Sequence, residues 1–215
     1  KDGVIRNHKE ATVTELPGIY SLSPYSNEEI VTRDFILSEH PSGIINIVDA
    51  TNIERNLYLT LQLLELGVPV VLALNVMDTL RAGGGAVDTA GLAQALGIPV
   101  VPVSAALGEG LDTLLDTAVR AAQGAPPDPW RALAPGAVQG CVRTLARLLA
   151  DEARGAGLPP VLAATQCLDG AHGDHAPEAA RQAVARMERE TGLTRGEALP
   201  TARFAQVDRL ARFFT

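Results

Sequence analysis

The apolar positions of this chain change character along its length. In the first half they come as short continuous runs: residues 43–49 read GIINIVD, 68–75 VPVVLALN and 98–104 IPVVPVS. Runs without polar alternation suit strands buried on both faces of a parallel sheet. Pro99 and Pro102 point to an edge position for the last run, because proline cannot donate to a central ladder. Residues 11–15 (ATVTE) make a further strand, which must turn at once at Leu16-Pro17-Gly18. Between these runs the spacing is helical. Ile53, Leu57, Leu61 and Leu64 share one face of a helix over 52–66, which Gly67 ends. Residues 30–38, 89–96 and 111–122 read as three more, with Gly97 stopping the second. Strands and helices alternating over short connections predict an α/β, doubly wound, mostly parallel sheet.

Beyond residue 122 the texture differs. Residues 124–129 (GAPPDP) form a linker-like break, and no convincing strand follows. Ala-, Leu- and Arg-rich segments at 138–154, 176–191 and 201–214 read as helices. The expected organisation is an α/β domain over 1–122 followed by a small all-helical domain over 123–215.

Composition narrows the picture. A chain of 215 residues, 47% apolar and 20% charged, has the makings of a soluble protein with a real core. Only 4% is aromatic, so Leu, Val, Ile and Ala must build that core. The net charge of −7 is spread along the chain and disfavours a nucleic-acid-binding surface. Cys141 and Cys167 stand far apart without CxxC spacing and read as reduced thiols. The longest near-apolar stretch, 67–77, falls short of the ~20 residues a spanning helix needs. The chain opens on Lys1 rather than Met, as an internal fragment would, and no insertion of these residues into a bilayer is expected.

Three short motifs stand at the C-terminal ends of predicted strands, the edge of an open α/β sheet where ligands bind. They are Glu15-Leu16-Pro17-Gly18, Asn75-Val76-Met77-Asp78 and Ser104-Ala105-Ala106. Each alone is weak, because Asn, Asp, Gly and Ser also simply end strands. Together, in this order, they resemble the later motifs of a P-loop GTPase. In that resemblance Asp78 accepts two hydrogen bonds from guanine N1 and N2, which adenine cannot supply. Asn75 ties the base-binding loops together, Ser104 and Ala106 belong to the loop over the base, and the Ala105 N–H meets guanine O6. Gly18, lacking a side chain, lets its N–H approach a γ-phosphate.

The resemblance sharpens from Leu16 to Ser26 (LPGIYSLSPYS), through Glu28-Glu29, and above all in VDATNIERNLYLTLQLLELGVPVVLALNVMD at 48–78. These segments look like the ferrous-iron transporter B (FeoB) family, whose cytoplasmic part is a GTPase followed by a helical domain and then a transmembrane permease. The likeness is strong over 1–122; the remainder matches by position and character, mainly at Ala202-Arg203-Phe204. It implies GTP or GDP with Mg²⁺ as ligands, and slow hydrolysis coupled to ferrous-iron uptake. It also implies a permease partner and a place at the cytoplasmic face of the bacterial inner membrane. A homo-oligomer is left open.

Four departures qualify that implication. The 215 residues contain no G-x-x-x-x-G-K-[ST], the loop that cradles phosphates. The resemblance puts that loop, a first strand, a first helix and a Mg²⁺-closing Thr upstream of Lys1, so these residues alone are expected to bind GTP poorly. Glu15 stands where the family has Asp, and one methylene shifts a carboxylate that reaches Mg²⁺ through a water. Ile19 replaces a water-orienting Gln, so no residue is assigned a catalytic role. Val76 stands where N-K-x-D has Lys.

Other features take plainer readings. Residues 20–29 (YSLSPYSNEE) correspond to the second switch. Trp130 reads as a packing anchor, and Arg203, Arg209 and Arg212 as a solvated face rather than one turned to a membrane. His172-Gly173-Asp174-His175, with Cys167 and Asp169, has ligand-type side chains in a glycine-rich stretch and reads as a solvated loop rather than a metal site. The competing functions are a nucleotide-free interaction module and a ribosome-assembly GTPase, the latter disfavoured by the acidic charge.

Overall fold

The computed structural model describes residues 2–5, 8–23, 26–170 and 175–214. It opens with an antiparallel hairpin of β1 (Asp2–Ile5) and β2 (His8–Thr14). The strand expected over 11–15 is thus part of β2, and it lies in this two-stranded sheet apart from the parallel one. Helix α1 (Asn27–Glu39) starts earlier than expected because Ser26 and Glu29 cap it reciprocally: the Glu29 N–H donates to Ser26 Oγ, and the Ser26 N–H to Glu29 Oε2.

The doubly wound part follows. Strand β3 (Ile44–Asp49) leads through a 3₁₀ turn into α2 (Ile53–Leu63), then β4 (Val70–Asn75), α3 (Met77–Ala82), α4 (Thr89–Leu96), β5 (Val100–Pro102) and α5 (Leu111–Ala122). The strands are parallel in the order β3-β4-β5, with Ile44 opposite Val70 and Leu72 opposite Val100. β5 lies at an edge, as its prolines required. The central strand β4 is buried from Val70 to Leu74, which explains its unbroken apolar run. One sheet face, with Val71, Ala73, Val101 and Val103, packs on α5 through Leu114 and Ala118. The other packs on α2, whose Leu57 and Leu61 are fully buried.

The helical half comprises α6 (Ala137–Leu148), α7 (Ala150–Gly155), α8 (Pro160–Leu168), α9 (Glu178–Thr191) and α10 (Arg195–Leu210). The single helix expected over 138–154 is two, meeting at Leu149, which is buried. Helix α8 escaped the sequence pattern because nearly all its sides are covered, leaving no polar face to mark a period. Helix α10 begins six residues before 201 and carries Pro200 within it. Its start is set at Thr194, whose N–H and hydroxyl both donate to Glu197 Oε2. Residues 171–174, with His172 and Asp174, lie outside the described residues.

One apolar cluster runs without interruption from Leu57 and Leu72 to Val142, Leu168 and Leu199. The helices therefore pack on the sheet through a shared core. Cys141 of α6 and Cys167 of α8 are both buried free thiols within it. Burial, together with neighbouring Cys167 and Glu188, pushes the Cys141 thiol up to about 11. A thiol reagent at mildly alkaline pH is expected to label both only as the protein unfolds; rapid labelling of the native protein would contradict that placement.

Hydrogen bonds from the Thr194 hydroxyl and N–H hold the Glu197 carboxyl below its ordinary value. A carboxyl so depressed stabilises the fold above its unfolded value, and the contribution disappears as pH falls through the lower folded value. Protection from amide exchange, relative to the unfolded rate at each pH, is therefore expected to fall in the first turn of α10 below pH 4.5 ahead of that in α6.

Candidate functional site

The C-terminal edge of the parallel sheet is where side chains from separate loops converge. β4 ends at Asn75, and Val76 then takes a left-handed backbone, φ 65°, before α3 begins. A β-branched residue rarely adopts that conformation, and residues held in it cluster at functional sites. The kink sends the chain from the strand into α3 within one residue, so Asn75 and Asp78 flank the same turn.

The second loop follows β5. Ser104 is buried at 1% exposure, and its Oγ accepts the Asp78 backbone N–H at 3.0 Å. Asn75 Oδ1 accepts the Ala105 N–H, also at 3.0 Å. The Met77 N–H donates to the Val103 carbonyl at 3.3 Å. Three cross-links therefore bind the two loops together, and Asp78 is left half-buried at their junction. Ala105 and Ala106 are exposed in a 3₁₀ turn, Ala105–Leu107. The loop is closed by mutual backbone hydrogen bonds between Ser104 and Glu109 and by Gly110, φ 77°. A Cβ at Gly110 would stand 2.4 Å from the Pro102 carbonyl oxygen, so only glycine fits there without movement.

Asn75, expected to tie base-binding loops together, stands between the two loops with its Oδ1 on the Ala105 N–H. The N–H it binds is the Ala105 N–H expected to face guanine O6, so in this structure that donor is already engaged. The link from Ser104 Oγ to Asp78 was not foreseen; a Ser at the end of a strand carries no sign of which loop its hydroxyl will reach.

Glu15 and Gly18 are placed differently. They lie in irregular chain after β2, both exposed, and neither is among the hydrogen-bond partners described above for Asn75, Asp78 and Ser104. A Cβ at Gly18 would meet nothing within 4 Å, so its surroundings are open on that side. The segment is anchored just beyond: Leu22 is buried, and its N–H donates to Gln62 Oε1 at 2.8 Å. Tyr20 is exposed with the Arg55 guanidinium 4.1 Å above its ring.

The remaining expectations divide. Trp130 packs against the core and carries Arg143 over its ring at 4.2 Å. Among the described residues no group of three or more His, Cys, Asp or Glu is placed to hold a metal ion. Arg203 is not on a solvated face. It is buried at 5% and binds the buried Glu65 through two nitrogens, at 2.9–3.2 Å.

A three-stranded parallel sheet flanked by helices, with linked loops at its C-terminal edge, is the fold of a P-loop GTPase G domain. Two solved structures of NFeoB from S. thermophilus share it. One is mGMPPNP-bound, with a TM-score of 0.85 at 31% identity, covering 99% of this chain and 83% of that one. The other is bound to GDP.AlF4- and K+, with a TM-score of 0.84 at 31% identity, covering 99% and 85%.

The family model described as ferrous iron transport protein B matches residues 1–118, and the chain belongs to that family. It is 45% identical over 126 residues to the Fe(2+) transport protein A/Fe(2+) transporter FeoB fusion protein of Porphyromonas gingivalis, covering 58% of this chain and 15% of that protein. To the Fe(2+) transporter FeoB of Salmonella typhimurium it is 44% identical over 109 residues, covering 49% and 14%. The chain thus spans about one seventh of the curated relatives it matches.

Proposed function

We propose that this chain is the guanine-nucleotide-binding regulatory part of a bacterial ferrous-iron transporter, in which GTP binding and slow hydrolysis are coupled to iron uptake. Residues 1–122 act as the G domain and 123–215 as a helical domain between it and a transmembrane permease. The whole stands at the cytoplasmic face of the inner membrane. Among the described residues no helix is long and apolar enough to cross a membrane, which leaves the crossing to another part.

The observation that carries the reading is the junction of the two loops at Asp78. Ser104 Oγ accepts the Asp78 N–H and Asn75 Oδ1 the Ala105 N–H, so the backbone that carries the half-buried Asp78 carboxylate is fixed while the carboxylate oxygens are left to a ligand. A carboxylate fixed in this way suits the paired N1 and N2 donors of guanine. The exposed Ala106 stands in the same turn, where its N–H suits the base carbonyl now that the Ala105 N–H serves Asn75. The base end of GTP or GDP therefore fits the residues present. At the phosphate end this chain contributes the Gly18 N–H and the Glu15 carboxylate, the latter for Mg²⁺ through a water. When bound, Mg²⁺ would neutralise charge on the phosphates.

Fluorescent analogues of GTP and ATP, titrated into these 215 residues and into the longer protein that contains them, test the proposal. The longer protein is expected to bind the guanine analogue alone, and the 215 residues to bind either more weakly than micromolar. Equal affinity for the adenine analogue would overturn the guanine reading. Micromolar binding by the 215 residues would overturn the placing of the phosphate loop upstream.

A further inference from the structure

One face of α2 and the turn after it carry Arg55, Tyr58, Gln62 and Glu65, at spacings of three, four and three. Those intervals bring all four to the same side of the helix. Each grips something outside α2. Arg55 covers the Tyr20 ring at 4.1 Å, and Gln62 Oε1 accepts the buried Leu22 N–H at 2.8 Å. The other two turn to α10. Tyr58 packs on Phe204 with ring centroids 4.9 Å apart, and Glu65 holds Arg203 in a bidentate pair at 3.0 and 2.9 Å from one nitrogen. The two sets alternate along the helix, so neither can shift α2 without disturbing the other.

We infer that α2 is a shared strut coupling the segment after Gly18, residues 19–23, to helix α10. Its regulatory meaning rests on the nucleotide reading above: a ligand that reorders the segment at Gly18 would be felt at α10, and a load on α10 would be felt at Gly18. The contacts at both ends suit that role. A buried backbone N–H satisfied by a single side chain is costly to release, so Leu22 follows Gln62 rather than breaking from it. A bidentate guanidinium–carboxylate pair fixes orientation as well as distance, so α10 follows Glu65. From Arg55 to Glu65 the chain is helical throughout, α2 passing directly into the 3₁₀ turn at 64–66, and α2 is further fixed to the sheet by the buried Thr60 hydroxyl, which accepts from Asn46 Nδ2 at 2.8 Å.

Site-resolved hydrogen exchange on the 215-residue chain, without nucleotide, tests the coupling. Two lesions are compared, singly and together. Gln62→Ala frees Leu22. The paired change Glu65→Leu with Arg203→Met frees α10 while replacing the ion pair by apolar side chains, a swap that buried pairs commonly tolerate. Each lesion is expected to speed exchange in the other's segment by about 5- to 10-fold, with matching factors in the two directions. Glu190→Gln, at an exposed pair with Arg186, is expected to change neither segment.

Effects confined to each lesion's own side would overturn the strut. So would a uniform rise at every amide in proportion to lost global stability, because that is what a merely structural role produces. Should the chosen pair replacement fail to fold, Phe204→Ala provides the lesion on the α10 side, since Phe204 is 59% exposed. Failure of the GTP titration would leave this exchange result untouched, so the two readings fall separately.

Discussion

Arg203→Ala is expected to destabilise the fold by about 3–5 kcal/mol, the usual cost of stranding one buried charge of a pair. Glu65 is 3% exposed, and burial pushes its carboxyl above the ordinary value against the pull of Arg203. Asp169 also lies in the field of Arg203, with burial raising its carboxyl and both Arg203 and Arg195 drawing it down. Removing the guanidinium therefore strands the buried Glu65 carboxyl and weakens the compensation at the more exposed Asp169. A loss of that size is a large share of the roughly 5–15 kcal/mol that holds a typical domain together. Chemical denaturation would show it as a lowered midpoint. A midpoint shift worth less than about 1 kcal/mol, the range of an exposed pair, would mean that the pair is solvated in solution.

On the guanine-nucleotide reading proposed above, Asp78→Asn is expected to reduce preference for guanine over adenine nucleotides, in a protein that contains these residues together with a phosphate loop, by on the order of 10³-fold. The substitution keeps the side chain's size but turns one acceptor into a donor. That donor then faces a donor on guanine, while the acceptor pattern that excluded adenine is gone. The Asp78 backbone N–H still reaches Ser104, so the loop junction should survive and stability should change little. Competition between GTP and ATP for a fluorescent analogue measures the ratio directly. An unchanged ratio would remove Asp78 from the base site.

How much of this was legible in the sequence follows from the physics of each element. Strand β4 announced itself because a parallel strand covered on both faces must be apolar throughout; β3 and β5 were legible as shorter apolar runs, although Ile47 of β3 is 66% exposed and β5 is an edge strand of three residues. Helix α2 was legible for the complementary reason: Ile53, Leu57, Leu61 and Leu64 mark one buried stripe. Helix α8 was not, because its surroundings bury almost every side. The break at Leu149 was hidden for a related reason, since apolar spacing continues across it. The helix expected over 201–214 in fact starts before Pro200, because cap contacts at Thr194 begin α10 there and buried Ala198, Leu199 and Ala202 hold the helix through the proline.

In the site, residue types were legible and pairings were not. Asn75, Asp78 and Ser104 were singled out by spacing, but the Ser104–Asp78 link depends on how two loops meet. Arg203 was misread because an arginine among helical polar residues is usually solvated. Its partner lies 138 positions away, and nothing local points to it.

That separation bears on the order in which the molecule can be completed as it is synthesised. Glu65 leaves the ribosome long before Arg203, and domains generally fold from the first-made end. Until α10 emerges, the turn after α2 carries a carboxylate destined for the interior with no cation to meet it. The sheet half can form its ladders in that interval, but its α2 face stays open to water. A ribosome halted before residue 203 would therefore display α2 with its Tyr58 and Glu65 face not yet covered by α10.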